Sequence, residues 1–246
     1  MKSLKTIAWY TRFVASLVPI MPKMKKCEKL HETEPWQVYK PVVDDAVLKW
    51  MTPIVKYAGV TYDVKGTENI PADETVLFVC NHSGMFDFPA VLMCLEKPCP
   101  FIAKKEAAKI PIVKNWMTVM DCVFIDRDNA REAVKALNAA AELITDGRSV
   151  VIFPEGTRSK DGQLGEFKNG GYKIAQKTGC KVVPVLIENT RHALEETGNV
   201  LPTRVKVTVL EPIETKDMPR EESKHVMQLA RDRIQQAKDA SAQQNA

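Results

Sequence analysis

Two short polar segments carry the side chains that could perform chemistry. In the first, residues 81–87, the histidine His82 precedes the aspartate Asp87 by five positions. A neutral imidazole can take a proton from a hydroxyl group at neutral pH, and a carboxylate on its second ring nitrogen fixes the tautomer and stabilises the cation that forms. The spacing therefore favours a base with an orienting carboxylate. The alternative is that Asp87, followed by Phe88 and Pro89, only caps a helix.

The second segment, residues 153–159, combines an acid, a glycine, a hydroxyl group and a guanidinium: Glu155, Gly156, Thr157 and Arg158. A guanidinium binds phosphate oxygens through paired hydrogen bonds, and a glycine lets a ligand approach the backbone closely. This combination suits an anionic, oxygen-rich ligand. The alternative is that Glu155 and Thr157 only stabilise a turn.

Short apolar runs alternate with helical patterns from residue 59 onward. The patterns predict strands over residues 60–65, 75–80, 100–103, 122–125, 149–153, 181–187 and 204–210. They predict helices over residues 89–96, 104–118, 129–145 and 168–178, and one from about residue 219. Such alternation predicts an α/β fold with a largely parallel central sheet and helices on both faces. Both polar segments follow a predicted strand, where parallel sheets gather their functional residues.

The first 58 residues differ from the rest in charge. Residues 1–50 hold nine basic and five acidic residues, which accounts for the whole net charge of +4, and residues 1–27 hold six basic residues and no acid. The apolar residues of this segment recur at helical spacing: Leu4, Ile7, Ala8, Val14, Ala15 and Val18, with Lys2, Lys5, Arg12 and Ser16 opposite. The uncharged stretch 13–22 is too short to cross a bilayer, which takes about 20 apolar residues.

A second amphipathic helix is predicted after Pro41, with a kink at Pro53. We therefore expect residues 1–58 to form an amphipathic two-helix motif on an anionic membrane surface, and residues 59–246 to form the globular domain. Three aromatic residues are expected at headgroup depth: Trp9, Tyr10 and Phe13. The alternative is that both helices only pack on the domain.

The six cysteines form no C-x-x-C pair and have no histidines at metal-ligand spacing. We expect reduced thiols in an intracellular setting, no metal and no cofactor. The remaining histidines receive no role because they lie in polar stretches without a partner pattern: His31, His192 and His225.

Four ordered motifs resemble those of the glycerolipid acyltransferases, and in particular the 1-acyl-sn-glycerol-3-phosphate acyltransferases. They are Asn81-His82-x4-Asp87, residues 124–127, residues 153–159 and Val183-Pro184-Val185. The similarity extends over about residues 60–190 and includes residues 66–71 and 103–106.

The resemblance implies transfer of an acyl group from acyl-CoA or acyl carrier protein to the sn-2 hydroxyl of 1-acyl-sn-glycerol-3-phosphate, which gives phosphatidic acid. His82 would be the general base and Asp87 its partner. Direct attack by the acceptor is expected, because Ser83 and Cys80 lie near His82 but outside a G-x-S-x-G context. The phosphate is expected on cationic groups: Arg127 and Arg158 first, then Lys105 and Lys104. Glu155, Gly156 and Thr157 would complete the acceptor site.

Other expectations concern the surroundings of this chemistry. Backbone N–H groups near His82 are candidate oxyanion donors, and residues 183–185 are expected to shape the wall of an acyl groove. The protein is expected at the cytoplasmic face of the cell membrane, as a peripheral or monotopic protein. The alternatives are another acceptor (glycerol-3-phosphate, another lysophospholipid or a lipid A precursor), a hydrolase using water or Cys80, and a non-catalytic lipid-binding module. A nucleic-acid partner is not expected, because the charge is small and is not spread over the domain.

Overall fold

A computed structural model describes residues 2–95 and 99–244. The helices are α1 (Leu4–Thr33), α2 (Trp36–Ala58), α3 (Asp87–Cys94), α4 (Pro111–Val119), α5 (Ala130–Thr145), α6 (Tyr172–Thr178), α7 (Thr190–Leu194), α8 (Arg220–Ser223) and α9 (Val226–Gln244). The strands are β1 (Val60–Lys65), β2 (Val76–Cys80), β3 (Ile102–Lys104), β4 (Val123–Ile125), β5 (Val150–Ile152), β6 (Lys181–Glu188) and β7 (Thr203–Val209). Most of these bounds lie within a few residues of the predicted ones. The predicted helix 104–118 is wrong in its first half, because Lys105–Lys109 form a 3-10 helix and α4 begins only at Pro111. Helix α7 was not predicted. The predicted helix 89–96 ends on residue 96, which lies outside the described residues.

The central sheet has the strand order β1-β7-β6-β2-β5. The pairs β1–β7, β6–β2 and β2–β5 are parallel, whereas β6 and β7 are antiparallel. The prediction of an α/β fold with a largely parallel sheet is therefore confirmed. The predicted strands β3 and β4 form a separate parallel ladder of three residues each. An isolated bridge between Phe101, directly before β3, and Val151 of β5 links this ladder to the central sheet.

The side chains of β2 show how the sheet is buried on both faces. Val76, Phe78 and Cys80 belong to one core, with residues of α1 to α4. Leu77 and Val79 belong to the other, with residues of α5, α6 and α9. Helices therefore cover both faces, which explains why this strand is apolar at every position.

Helices α1 and α2 pack against each other with their chains antiparallel. The Trp9 Nε1–H donates to the carbonyl of Ile54 at 3.1 Å, and the Trp50 Nε1–H donates to the Ser16 hydroxyl at 2.9 Å. Trp9 is only 4% exposed, so its ring packs inside the protein and is not presented at the surface. Helix α2 begins at Trp36, before rather than after Pro41, and its inner residues join the same core as β2.

The outer face of α1, defined by Leu4, Ile7, Val14 and Val18, points away from the protein. These side chains are 86%, 51%, 60% and 69% exposed, respectively. The apolar side of the predicted amphipathic helix is thus the side that the fold leaves uncovered. Within residues 2–95 and 99–244, no helix combines the length and hydrophobicity that a membrane crossing requires.

An ionic cluster anchors the junction of α1 and α2 to the domain. Asp121, in the turn before β4, accepts a hydrogen bond from the Tyr39 hydroxyl at 2.6 Å and pairs with His31 and Arg148 at 3.0 and 3.1 Å. Burial, together with the neighbouring carboxylate, raises the pKa of Tyr39. His31, which received no role from the sequence, therefore has a structural contact.

Candidate active site

The two polar segments meet because β2 and β5 are parallel neighbours in the sheet. The segment with His82 follows β2, and the segment with Glu155 follows β5, so both lie at the same edge. The Ser159 N–H donates to the carbonyl of His82 at 2.8 Å, and the rings of His82 and Phe153 lie 4.6 Å apart. The chain thus brings together residues about seventy positions apart.

The His82 Nδ1 lies 2.7 Å from Asp87 Oδ2. Asp87 is fully buried, and its carboxylate also accepts the N–H groups of Ser83 and Gly84 at 2.6 and 2.9 Å and the hydroxyl of Thr190. Asp87 is the first residue of α3, and Phe86 occupies the N-cap position. The Asp87 carboxylate therefore orients the imidazole and does not cap the helix. The imidazole itself is partly exposed.

The backbone N–H groups of residues 82–85 all donate to carboxylates. Ser83 and Gly84 donate to Asp87, while the His82 N–H donates to Glu155 Oε1 at 2.8 Å and the Met85 N–H donates to Glu195 Oε1 at 2.7 Å. An oxyanion donor needs an N–H group that points at the reacting oxygen. In this structure these four N–H groups are therefore occupied by carboxylates and do not point at a reacting oxygen.

Glu155 fixes two loops to each other. Its second oxygen, Oε2, accepts the N–H of Gly165 at 3.1 Å, so both carboxylate oxygens bind backbone groups. Burial raises the pKa of Glu155, while these hydrogen bonds oppose the rise. The carboxylate thus joins the loop of His82 to the loop of Gly165 in this structure.

His82 opens into a pocket of about 320 Å³ whose cationic lining residues are Lys104, Arg127 and Arg158. An adjoining pocket of about 240 Å³ shares four lining residues with the first: Lys104, Arg127, Gly156 and Thr157. Lys168 and Glu155 line only this second pocket. Lys168 was missed, because it lies just before α6 in no recognisable motif. Lys105 is not brought into either lining and instead pairs with Asp126 at 2.7 Å.

Arg127 is held over Gly156, whose carbonyl accepts a hydrogen bond from Nη1. Burial lowers the pKa of the Arg127 guanidinium, which remains charged at neutral pH. Gly156 has a φ of +77°, and a Cβ there would lie 2.7 Å from Arg127 Nη1. Only glycine permits both the backbone conformation and the close approach of the arginine.

Gly156→Ala is expected to displace Arg127 and raise the KM of a phosphorylated acceptor about 10-fold, since a hydrogen bond to a charged group contributes about 1.5–3 kcal/mol. The matched control is Gly162→Ala, because Gly162 has a φ of +79° but open space around its Cβ position. Both variants should lose about 1–2 kcal/mol of stability in chemical denaturation, because both glycines have a positive φ that an L side chain rarely adopts. Equal KM values for the two variants would contradict this view of Arg127.

An apolar cavity of about 460 Å³ lies between α1, α2, α3 and α4. Phe88 and Met117 line both this cavity and the His82 pocket, so the two are adjacent. Residues 183–185, expected in the groove wall, lie inside β6 and are buried between β2 and β7. That expectation is wrong, because helices supply the apolar wall.

The fold and site together define a class: α/β proteins in which a His–Asp pair lies between a cationic pocket and an apolar cavity. Such a site fits a ligand with an anionic head and a long apolar tail. The comparison with known proteins agrees, because the acyltransferase family model matches residues 61–188. The chain belongs to the acyltransferase family.

Its relatives include enzymes named 1-acyl-sn-glycerol-3-phosphate acyltransferase. The chloroplastic LPAT1 of Arabidopsis thaliana is 37% identical over 64% of this chain and 42% of its own length, and the Borreliella burgdorferi protein is 37% identical over 55% of this chain and 54% of its own. The chain thus spans about half the length of these curated relatives. The crystal structure of the 1-acyl-sn-glycerophosphate acyltransferase PlsC from Thermotoga maritima is similar with a TM-score of 0.78 and 29% identity, over 96% of this chain and 95% of that one.

Proposed function

We propose that this protein transfers an acyl group from a thioester, acyl-CoA or acyl carrier protein, to the sn-2 hydroxyl of 1-acyl-sn-glycerol-3-phosphate, producing phosphatidic acid. The observation that carries the proposal is the 2.7 Å contact between His82 and Asp87 at the mouth of a cationic pocket that adjoins an apolar cavity. The names of the relatives support the same acceptor.

The proposed reaction is a direct attack. Because Asp87 accepts the Nδ1–H of His82, the Nε2 lone pair is the base that takes the proton from the acceptor hydroxyl. The hydroxyl oxygen bonds to the thioester carbon, the carbon–sulfur bond breaks, and the thiol of the donor leaves with a proton. The donor is a co-substrate, and the reaction needs no further cofactor.

The cationic pockets and the apolar cavity bind different parts of the acceptor. Arg127 and Arg158 bind the phosphate through paired hydrogen bonds, and Lys104 and Lys168 add positive charge. Acyl chains lie in the apolar cavity, which helices α1 to α4 shield from water. In this arrangement the hydroxyl lies between the two, next to His82.

A hydrolase with Cys80 as nucleophile is disfavoured. Cys80 is fully buried, and burial raises the pKa of its thiol well above the usual range. The reactive form of a cysteine is the thiolate, which this environment suppresses.

Residues 1–58 act in this proposal as a membrane-association motif at the cytoplasmic face of the cell membrane, and residues 59–246 as the catalytic domain. The outer face of α1 is apolar and exposed, and the acid-free residues 1–27 attract anionic lipids by about 1 kcal/mol for each basic residue near the surface. A peripheral or monotopic attachment of this kind would give the site access to an acceptor that resides in the bilayer.

Val14→Ser combined with Val18→Ser is expected to weaken binding to anionic vesicles about 10-fold or more, since burying one such side chain contributes about 1.5–3 kcal/mol. Cosedimentation with vesicles that contain phosphatidylglycerol measures this. The matched control is Val134→Ser with Leu229→Ser, two exposed apolar residues on α5 and α9. Equal binding by both double variants would rule out the outer face of α1. Deleting the motif is a poorer test, because α2 supplies core residues.

A matrix of acyl donors against acceptors, with purified protein in mixed micelles, tests the proposed reaction. We expect transfer to 1-acyl-sn-glycerol-3-phosphate to exceed transfer to the other acceptors. A preference for glycerol-3-phosphate, another lysophospholipid or a lipid A precursor would overturn the acceptor assignment. Release of fatty acid alone would indicate a hydrolase, and the absence of any turnover would indicate a lipid-binding module.

A further inference from the structure

Helix α7 touches the candidate site, although no sequence motif includes it. The matched family segment ends at residue 188, and α7 begins at Thr190. Asn189, with a φ of +70°, turns the chain between β6 and this helix. The helix is therefore placed by the end of β6, the strand that pairs with β2 and so lies beside the loop of His82.

Thr190 binds the oxygen of Asp87 that does not contact His82. Its hydroxyl donates to Oδ1, and its side chain is fully buried. The other oxygen, Oδ2, serves His82 and the N–H groups of Ser83 and Gly84. A carboxylate can rotate about its Cβ–Cγ bond. The hydrogen bond from Thr190 to Oδ1, the oxygen that does not contact His82, fixes this rotation.

The loop and α7 are held together by two further contacts. Glu195, directly after α7, accepts the Met85 N–H at 2.7 Å and pairs with Arg158 at 2.8 Å. Gly84 packs so closely that a Cβ there would lie 2.9 Å from the carbonyl of Thr190 and 2.8 Å from Glu195 Oε2. The contact of Glu195 with Met85 and the packing of Gly84 against Thr190 therefore fix the position of Thr190 relative to Asp87.

We propose that Thr190 is a positioning residue of the active site, which acts through Asp87 to hold the imidazole of His82 in its reactive orientation. The inference rests on the proposed function for the role of His82, whereas the contact between Thr190 and Asp87 exists independently of it. Thr190 then belongs to the site although none of the four motifs includes it.

Thr190→Val keeps the shape of the side chain and removes the hydroxyl. It is expected to lower kcat about 10- to 100-fold, because a lost hydrogen bond to a charged group corresponds to that range. The pH at half-maximal kcat/KM should move upward, since a carboxylate with one donor fewer stabilises the imidazolium more strongly. Thr190→Ser, which retains the hydroxyl, should keep most of the turnover and the original pH profile.

The matched control is Thr215→Val. Thr215 is also buried, and its hydroxyl donates to the carbonyl of Cys180 at 2.7 Å, in a different part of the core. This variant should lose comparable stability and leave the pH profile unchanged. Identical kcat and pH profiles for Thr190→Val and Thr215→Val would overturn the proposal. Should Thr190→Val fail to fold, Thr190→Ala is compared with Thr190→Ser, and equal turnover of those two would overturn it as well.

The proton resonance of His82 Nδ1–H, recorded by NMR on the ligand-free protein, separates this proposal from the proposed reaction. Thr190→Val should shift the resonance, and Thr215→Val should not. A shift in a protein that transfers no acyl group would leave the positioning role standing and refute the reaction. An unchanged resonance in Thr190→Val would refute the positioning role.

Discussion

His82→Ala is expected to lower kcat by about 10²–10⁴-fold, the usual contribution of a positioned general base. In the proposed mechanism the imidazole takes the proton of the acceptor hydroxyl, and its Nδ1 lies 2.7 Å from the Asp87 carboxylate. Folding should survive, because Asp87 keeps its hydrogen bonds from Ser83, Gly84 and Thr190. Initial rates at saturating donor and acceptor measure the effect, and thermal unfolding verifies the fold.

His192→Ala is the matched control for this variant. His192 is exposed on α7 and pairs with Glu196 at 2.9 Å, away from the pocket that His82 lines. Its turnover and its binding to anionic vesicles should equal those of the unmodified protein. Should His82→Ala retain full turnover, His82 would not be the base and the proposed mechanism would be wrong.

Arg127→Ala is expected to raise the KM of the phosphorylated acceptor about 10- to 100-fold, since one or two hydrogen bonds to a charged group are lost. The effect should be large because Arg127 is partly buried and lines both cationic pockets. Arg158→Ala should act in the same direction with a smaller effect, because the Arg158 guanidinium is about half exposed and already paired with Glu195. Steady-state kinetics with acceptor and donor varied separately measure both.

Lys105→Ala provides the control, because Lys105 pairs with Asp126 outside the two pocket linings. We expect its acceptor KM to stay within about 5-fold of the unmodified protein, since an exposed ion pair is worth at most about 1 kcal/mol. If Arg127→Ala raised only the donor KM, the cationic pocket would bind the phosphates of the coenzyme and not those of the acceptor.

Local patterns were sufficient to predict several parts of this protein. Strand β1 was predicted with the bounds that the structure has, Val60–Lys65, and the two polar segments were expected at strand ends. The pairing of His82 with Asp87 follows from a tight loop, since five residues separate them and the loop amides bind the same carboxylate. The amphipathic pattern of α1 likewise identified the side chains that the fold leaves exposed.

Contacts between distant residues were decided only by the tertiary structure. The carboxylates of Glu155 and Glu195 reach amides 73 and 110 residues away, so the amides expected at an oxyanion are already occupied. Trp9 is buried because α2 packs over it, which a helical pattern by itself does not reveal. Thr190 and Lys168 belong to no periodic pattern, and only the order of the strands brings Thr190 to Asp87. The sequence by itself indicated the class of chemistry, because the residues of each polar segment, 81–87 and 153–159, lie close together along the chain. The surroundings that orient those residues were set by the packing of separate elements.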